Sequence, residues 1–163
     1  MRTAPLVDVL IDDVTWACAT RARRAEWRQT ISELIEEGGF EAAEPDPLRA
    51  YVTVHRDGIA LALHGPRGQQ VGRLELPQAV IAPLLREYMA IITEMLRTGG
   101  GPASPRLEAL DIAKRLTHDD AAELLQQHFH DVRPDQATAR RLFTLLVELT
   151  HDTTKLGPLP RSY

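Results

Sequence analysis

The stretch Ala50–Leu76, AYVTVHRDGIALALHGPRGQQVGRLEL, decides the fold class. Its β-prone runs are Ala50–Arg56, Ile59–His64 and Gln69–Leu76. The turn signals Asp57-Gly58 and Gly65-Pro66-Arg67-Gly68 separate these runs. Short runs of alternating polarity joined by tight turns are typical of antiparallel hairpins, so the stretch predicts a three-stranded antiparallel meander.

The chain upstream of the meander predicts one strand and one helix. Leu6–Ile11 is a short β-prone run that ends at Asp12-Asp13. Between Trp27 and Ile35, apolar residues recur at i, i+4, i+7 and i+8, which is the spacing of one helix face. Gly38 follows this run and is expected to end the helix.

The chain downstream of the meander is helical in pattern. Apolar residues recur at helical spacing up to Leu149, and three breaks divide them into four predicted helices. The breaks are Gly99–Pro102, the capping pair Thr117 and Asp120, and Asp131–Pro134. The broad apolar face of Val80–Leu96 predicts a central helix that contacts both the sheet and other helices.

Strands grouped apart from helices indicate an α+β fold. We expect a small antiparallel sheet, in the order β-α-β-β-β, followed by and packed against a four-helix C-terminal half. The chain has 163 residues, a length typical of one domain. Residues 1–151 are therefore predicted to form a single domain, and residues 152–163 a proline-containing C-terminal tail.

Composition narrows the function classes. The formal net charge is −4 and aromatic residues make up 5% of the chain, which argues against a nucleic-acid partner. No apolar run is long enough and free enough of charge to span a membrane, and the first twenty residues lack a signal-peptide core. We expect a cytoplasmic protein with no membrane partner. The single cysteine, Cys18, excludes a disulfide framework and a zinc site built of cysteines.

Three His-Asp pairs invite comparison with metal-dependent phosphohydrolases of the HD type. They are His118-Asp119, His130-Asp131 and His151-Asp152. That architecture also requires a histidine on an earlier helix, whereas His55 and His64 fall in predicted strands. We therefore expect no metal and no cofactor.

The strongest candidate cluster is Asp111, Arg115 and His118, spaced i, i+4 and i+7 on one helix face. Arg140 and Arg141 on the last helix add two guanidinium groups, which suit bidentate recognition of carboxylate or phosphate. Two interpretations remain open. The cluster is either a ligand site or an interhelical salt-bridge network in which Asp111 and Asp135 pair with the arginines.

Three segments resemble a bacterial family of unknown function, the uncharacterised protein family number 0262. They are Leu34–Glu37 with Phe40, Leu110–His118, and Thr138–Leu145, TARRLFTL, which is the most specific. Asp111, Arg115, His118 and Tyr88 match the family pattern, while Asp119 stands where asparagine is usual. The family's acidic-His-Glu-Arg start to the first helix is Arg24–Trp27 here, so the chain resembles a divergent member. The resemblance favours the candidate cluster and implies no activity.

The leading hypothesis is a non-catalytic interaction or regulatory module that binds a protein partner or forms a homodimer. Its basis is the lack of a cofactor fingerprint, together with surplus apolar surface on Val80–Leu96. The alternative is a small-molecule-binding protein or an enzyme acting on an anionic phosphate or carboxylate substrate. In it Arg115, His118, Arg140 and Arg141 bind the anion, and His118 acts as general acid or base, oriented by Asp111.

Overall fold

A computed structural model describes residues 1–98 and 104–156, which form β-strands and α-helices. The strands are β1 (Arg2–Ile11), β2 (Gly39–Ala42), β3 (Leu48–His55), β4 (Gly58–His64), β5 (Gln70–Pro77), β6 (Phe129–His130) and β7 (Arg133–Pro134). The α-helices are α1 (Asp13–Cys18), α2 (Arg21–Glu37), α3 (Gln78–Thr98), α4 (Pro105–His128) and α5 (Gln136–Thr150). A 3₁₀ turn follows at Thr153–Lys155. The α+β class is confirmed.

The prediction of a small antiparallel sheet is wrong, because the described strands form one mixed sheet of seven. Its order is β6-β5-β4-β3-β1-β2-β7. The predicted meander is present as β3, β4 and β5, but β1 pairs with β3 in parallel. The outermost strands, β6 and β7, are consecutive in the chain, so the sheet curls into a nearly closed barrel. The additional strands have two to four residues, too few to show an alternating pattern.

The predicted four-helix C-terminal half is also wrong: within the described residues it has three α-helices and the 3₁₀ turn. Thr117 and Asp120 do not begin a new helix, because α4 continues through them. The Thr117 hydroxyl instead donates to the Ala113 carbonyl at 3.0 Å, which satisfies it inside a helix. The predicted break at Gly99–Pro102 lies outside the described residues, as do residues 157–163 of the tail predicted for 152–163. The first residues of that tail form the 3₁₀ turn, in which Thr153 is buried.

The Val80–Leu96 segment contacts both the sheet and α4 as predicted, but the more deeply buried helix is α5. Ten of its fifteen residues are buried, including Leu142, Phe143 and Leu146, and it packs against both α2 and α4. The apolar face of α3 is covered by the sheet and α4, leaving Leu96 as its one large hydrophobic residue that is exposed. The surplus surface expected on that helix is therefore absent from its described residues.

The connection between β6 and β7, here called the seam, packs so closely against β5 that one position of β5 requires glycine. Gly72 of β5 faces the two-residue connection between β6 and β7. A Cβ atom at this position would lie 2.8 Å from Cγ1 of Val132 and 3.1 Å from the carbonyl oxygen of His130. Only glycine fits without displacing the seam.

Candidate anion-binding site

A pocket of about 370 Å³ lies between α4 and the start of α5. It is lined by Arg115, Asp119, Gln136, Ala137, Arg140 and Arg141. Three of the four predicted ligand-binding residues therefore meet at one place, although they come from two helices. The fourth, His118, does not line this pocket.

Local sequence places these groups. Arg115 and Asp119 are separated by four residues on α4, so they share one helix face. Asp135 caps α5, and its Oδ1 accepts a hydrogen bond from the Thr138 backbone N–H at 2.7 Å. The backbone N–H groups of Gln136 and Ala137, which lie between Asp135 and Thr138, have no partner within the helix because they belong to its first turn. The positive end of the α5 dipole thus faces the pocket.

Each arginine of the pocket also pairs with a carboxylate. Arg115 Nη2 lies 2.6 Å from Asp111 Oδ2, Arg140 pairs with Asp119, and Arg141 pairs with Glu37 of α2. The salt-bridge interpretation is right about the kind of contact and about Asp111. It is wrong about Asp135, whose carboxylate caps α5 instead. Ion pairing and a pocket therefore coexist in the same cluster.

The pocket lining itself holds more positive than negative groups, although the carboxylates of Asp111 and Glu37 balance two of its arginines from outside the lining. Three arginines face one aspartate, in a chain whose formal net charge is −4. The side chains of Arg140 and Arg141 are only 12% and 10% exposed, whereas that of Arg115 is 59% exposed. Two guanidinium groups thus form a partly desolvated floor and the third is an accessible edge. Electrostatic attraction is stronger where water is excluded, so this arrangement suits a carboxylate or phosphate group.

His118 lies on the inner side of α4, in a cluster of three aromatic rings. Its Nε2 is 3.1 Å from the Tyr88 hydroxyl oxygen. The His118 ring meets the Tyr88 ring edge-to-face at 4.9 Å and the Phe143 ring at 5.4 Å. Tyr88 belongs to α3 and Phe143 to α5, so the cluster joins three helices. The hydroxyl of Tyr88 thus finds a hydrogen-bond partner in His118.

Burial sets the ionisation of this histidine. The His118 side chain is almost inaccessible to solvent, and its pKa is lowered from 6.5 to about 4. Desolvation is the main cause of this decrease, and the positive charges of Arg140 and Lys114 contribute to it. His118 is therefore neutral at pH 7. Lys114 itself is buried, and desolvation lowers the pKa of its ammonium group.

Three contributors to the site were not predicted. Asp119 enters the sequence patterns only through a His-Asp pair and the family resemblance, although its spacing from Arg115 also indicates a shared helix face. Gln136 follows the Asp135 cap, so the helix-start signal was available. Glu37 pairs with Arg141 across 104 residues, and no local pattern reports such a contact.

Comparison with known proteins places this chain in a family. The model of the uncharacterised protein family UPF0262 matches residues 3–152. The chain belongs to the UPF0262 family. The membership expected from Thr138–Leu145 and Leu110–His118 is thus confirmed.

Curated UPF0262 proteins from bacteria are similar over most of their length. The relative from Phenylobacterium zucineum is 30% identical over 147 residues, covering 88% of this chain and 91% of the relative. That from Novosphingobium aromaticivorans is 32% identical over 152 residues, covering 85% and 92%. That from Agrobacterium fabrum is 27% identical, covering 88% and 93%. No solved structure gave a significant match.

The described residues lack two further features. No helix within 1–98 or 104–156 is both long and apolar enough to cross a membrane. Across the same ranges, no group of three or more His, Cys, Asp or Glu side chains is placed to hold a metal ion.

Proposed function

We propose that this UPF0262 protein is a non-catalytic binding protein whose α4–α5 pocket holds a carboxylate or phosphate group. The observation that carries the proposal is the convergence of Arg115, Arg140 and Arg141 on one pocket at the start of α5. Guanidinium groups and helix N-termini both favour anions, and here they face the same space.

Catalysis by His118 is not part of this proposal. A general acid or base must come within hydrogen-bond reach of the substrate, and His118 is buried outside the pocket lining. Its low pKa also means that near neutral pH it lacks the imidazolium proton that a general acid would donate. The geometry supports anion binding and gives His118 a place in the helical core.

The test is thermal unfolding of the purified protein with inorganic phosphate or citrate, each compared with sodium chloride of equal ionic strength. A ligand at 100 times its Kd adds about 2.7 kcal/mol of stability, which raises Tm by about 5–10 °C in a chain of this size. We expect a saturable increase with at least one of the two anions.

The variant Arg115→Gln is expected to weaken that increase, because it removes an accessible guanidinium from the pocket edge. Arg106→Gln is the matched control: it makes the same charge change on the same helix, and Arg106 is 64% exposed and pairs with Glu94. An increase that Arg115→Gln and Arg106→Gln reduce equally would contradict the proposal. The same holds if neither anion changes Tm beyond the chloride control.

Self-association through α4 is a second candidate, favoured by one observation. Ile112 and Leu116 lie one turn apart on α4 and are 57% and 58% exposed. Sedimentation velocity over a concentration series tests this homodimer. Dimerisation that Leu116→Ser abolishes would support it, whereas a monomer at all concentrations would contradict it.

A further inference from the structure

A second cleft lies on the outer face of the sheet, away from the helices. Its volume is about 350 Å³, and Arg49, Tyr51, His64 and the turn Gly65–Gly68 contribute to its lining. Arg49 and Tyr51 are exposed and alternate along β3 with residues buried beneath the helical layer. Because alternate strand residues point to opposite faces, this cleft is separate from the α4–α5 pocket.

A bulge in β1 shapes one wall of the cleft. Leu6 pairs with Leu48 and Asp8 with Arg49, so Val7 is an extra residue in β1. Val7 is 43% exposed and lines the cleft. Bulges re-aim side chains and occur often beside binding sites. Here the bulge adds an apolar surface next to the polar groups of β3 and β4.

His64 is held in one orientation and one tautomer. Its Nδ1 lies 3.0 Å from the carbonyl oxygen of Gly68, and a carbonyl oxygen can only accept, so Nδ1 carries a hydrogen. In the neutral ring, Nε2 is then an acceptor for a hydrogen-bond donor. The Tyr51 ring supports His64 edge-to-face, with ring centroids 5.0 Å apart.

Arg49 supplies the charge of the cleft. It is the direct cross-strand partner of His64, and its guanidinium forms no ion pair or hydrogen bond with residues 1–98 or 104–156. An exposed arginine next to an oriented imidazole and a phenol ring offers three different contacts within one cleft. The planar guanidinium group of Arg49 matches the two oxygens of a carboxylate.

We propose that this cleft binds an aromatic carboxylate that also carries a hydroxyl group. The carboxylate pairs with Arg49, the hydroxyl donates to Nε2 of His64, and the aromatic body packs against Tyr51 and Val7. This proposal does not depend on the function of the α4–α5 pocket. The volume of the cleft lies within the range of small-molecule sites.

The test is a ¹H–¹⁵N NMR titration of the full chain with sodium 4-hydroxybenzoate, with sodium benzoate as the probe that lacks the hydroxyl. We expect saturable shifts of amide signals in β3 and in turn Gly65–Gly68. Arg49→Gln is expected to weaken binding about 10- to 100-fold, the usual effect of losing a charge-assisted hydrogen bond. Arg67→Gln is the matched control, because Arg67 lies on the same turn but outside the lining.

The two probes test the assigned orientation. We expect 4-hydroxybenzoate to bind more tightly than benzoate, and His64→Phe, which keeps a ring beside Tyr51, to abolish that difference. Equal weakening by Arg49→Gln and Arg67→Gln would overturn the proposal, as would equal affinity for both probes. Shifts confined to the α4–α5 pocket and removed by Arg115→Gln, with none in β3 or Gly65–Gly68, would assign the carboxylate to the other pocket and also overturn it. Amide signal dispersion of each variant checks that it is folded.

Discussion

His118 predicts a specific loss of stability in mild acid. In the folded protein its pKa is lowered to about 4, whereas in the unfolded chain it returns to the ordinary value of 6.5. Between these values the unfolded chain binds a proton that the folded protein does not. The free energy of unfolding therefore falls as the pH decreases from about 6.5 towards 4. Above pH 6.5 the stability contributed by the neutral His118 is fully present.

The magnitude follows from the two pKa values. Linkage of one such group gives a loss of about 2 kcal/mol between pH 7 and pH 5, and about 3 kcal/mol by pH 4. Natural domains have a total stability of about 5–15 kcal/mol, so the effect is measurable. Desolvation by the surrounding core is the main cause, and Arg140 and Lys114 add repulsion of the imidazolium.

The assay is urea unfolding followed by tryptophan fluorescence, to which the buried Trp27 and its neighbour Trp16 contribute, at several pH values from 7.5 to 5. His118→Gln is the comparison, because glutamine retains a hydrogen-bonding group for Tyr88 but does not titrate. His151, whose pKa burial also lowers, is present in both proteins, so its contribution cancels. Parallel pH dependences in wild type and His118→Gln would refute the assignment of this loss to His118.

Three further predictions concern packing. Gly72→Ala is expected to lower the free energy of unfolding by about 1–3 kcal/mol, because its Cβ would overlap Val132, and Val132→Ala in the same chain should restore part of the loss. Thr30→Val should cost about 1–3 kcal/mol in urea unfolding, because it removes a buried hydrogen bond to Glu148; a loss below about 0.5 kcal/mol would contradict that role. Leu116→Ser should change stability by no more than about 0.5 kcal/mol, since Leu116 is exposed in the monomer, and a larger loss in dilute protein would show that it is covered.

The predictable part of the fold was the part with repeated local signals. The meander β3–β5 alternates over seven or eight residues in each strand, and the registers follow from tight turns. The dipeptide Asp57-Gly58 is typical of a type I′ turn, but the first turn is of another type, because Arg56 and Asp57 both have negative φ. The parallel pairing of β1 with β3 depends on long-range packing, and no periodicity in Leu6–Ile11 distinguishes it from antiparallel pairing.

The candidate site shows the same limit. Helical spacing correctly aligned Asp111 with Arg115, which form an ion pair. The same spacing grouped them with His118. However, Asp119, the next residue on α4, lines the pocket, whereas His118 is buried in the core. His118 falls on the core side because Tyr88 and Phe143 pack against it there. The helices α3 and α5 that supply these rings are distant in sequence, so spacing within α4 alone does not determine the orientation.

The buried histidine and the arginine pocket are electrostatically connected through Arg140. This side chain lines the pocket, and its charge also lowers the pKa of His118. Because His118 is neutral, it adds no further positive charge on the inner side of α4 next to Arg140 and Lys114. An anion in the pocket would partly neutralise the positive charge of Arg140. By linkage, the bound anion would therefore raise the pKa of His118. Anion affinity and the acid stability of the core are thus expected to change together, because one guanidinium contributes to both.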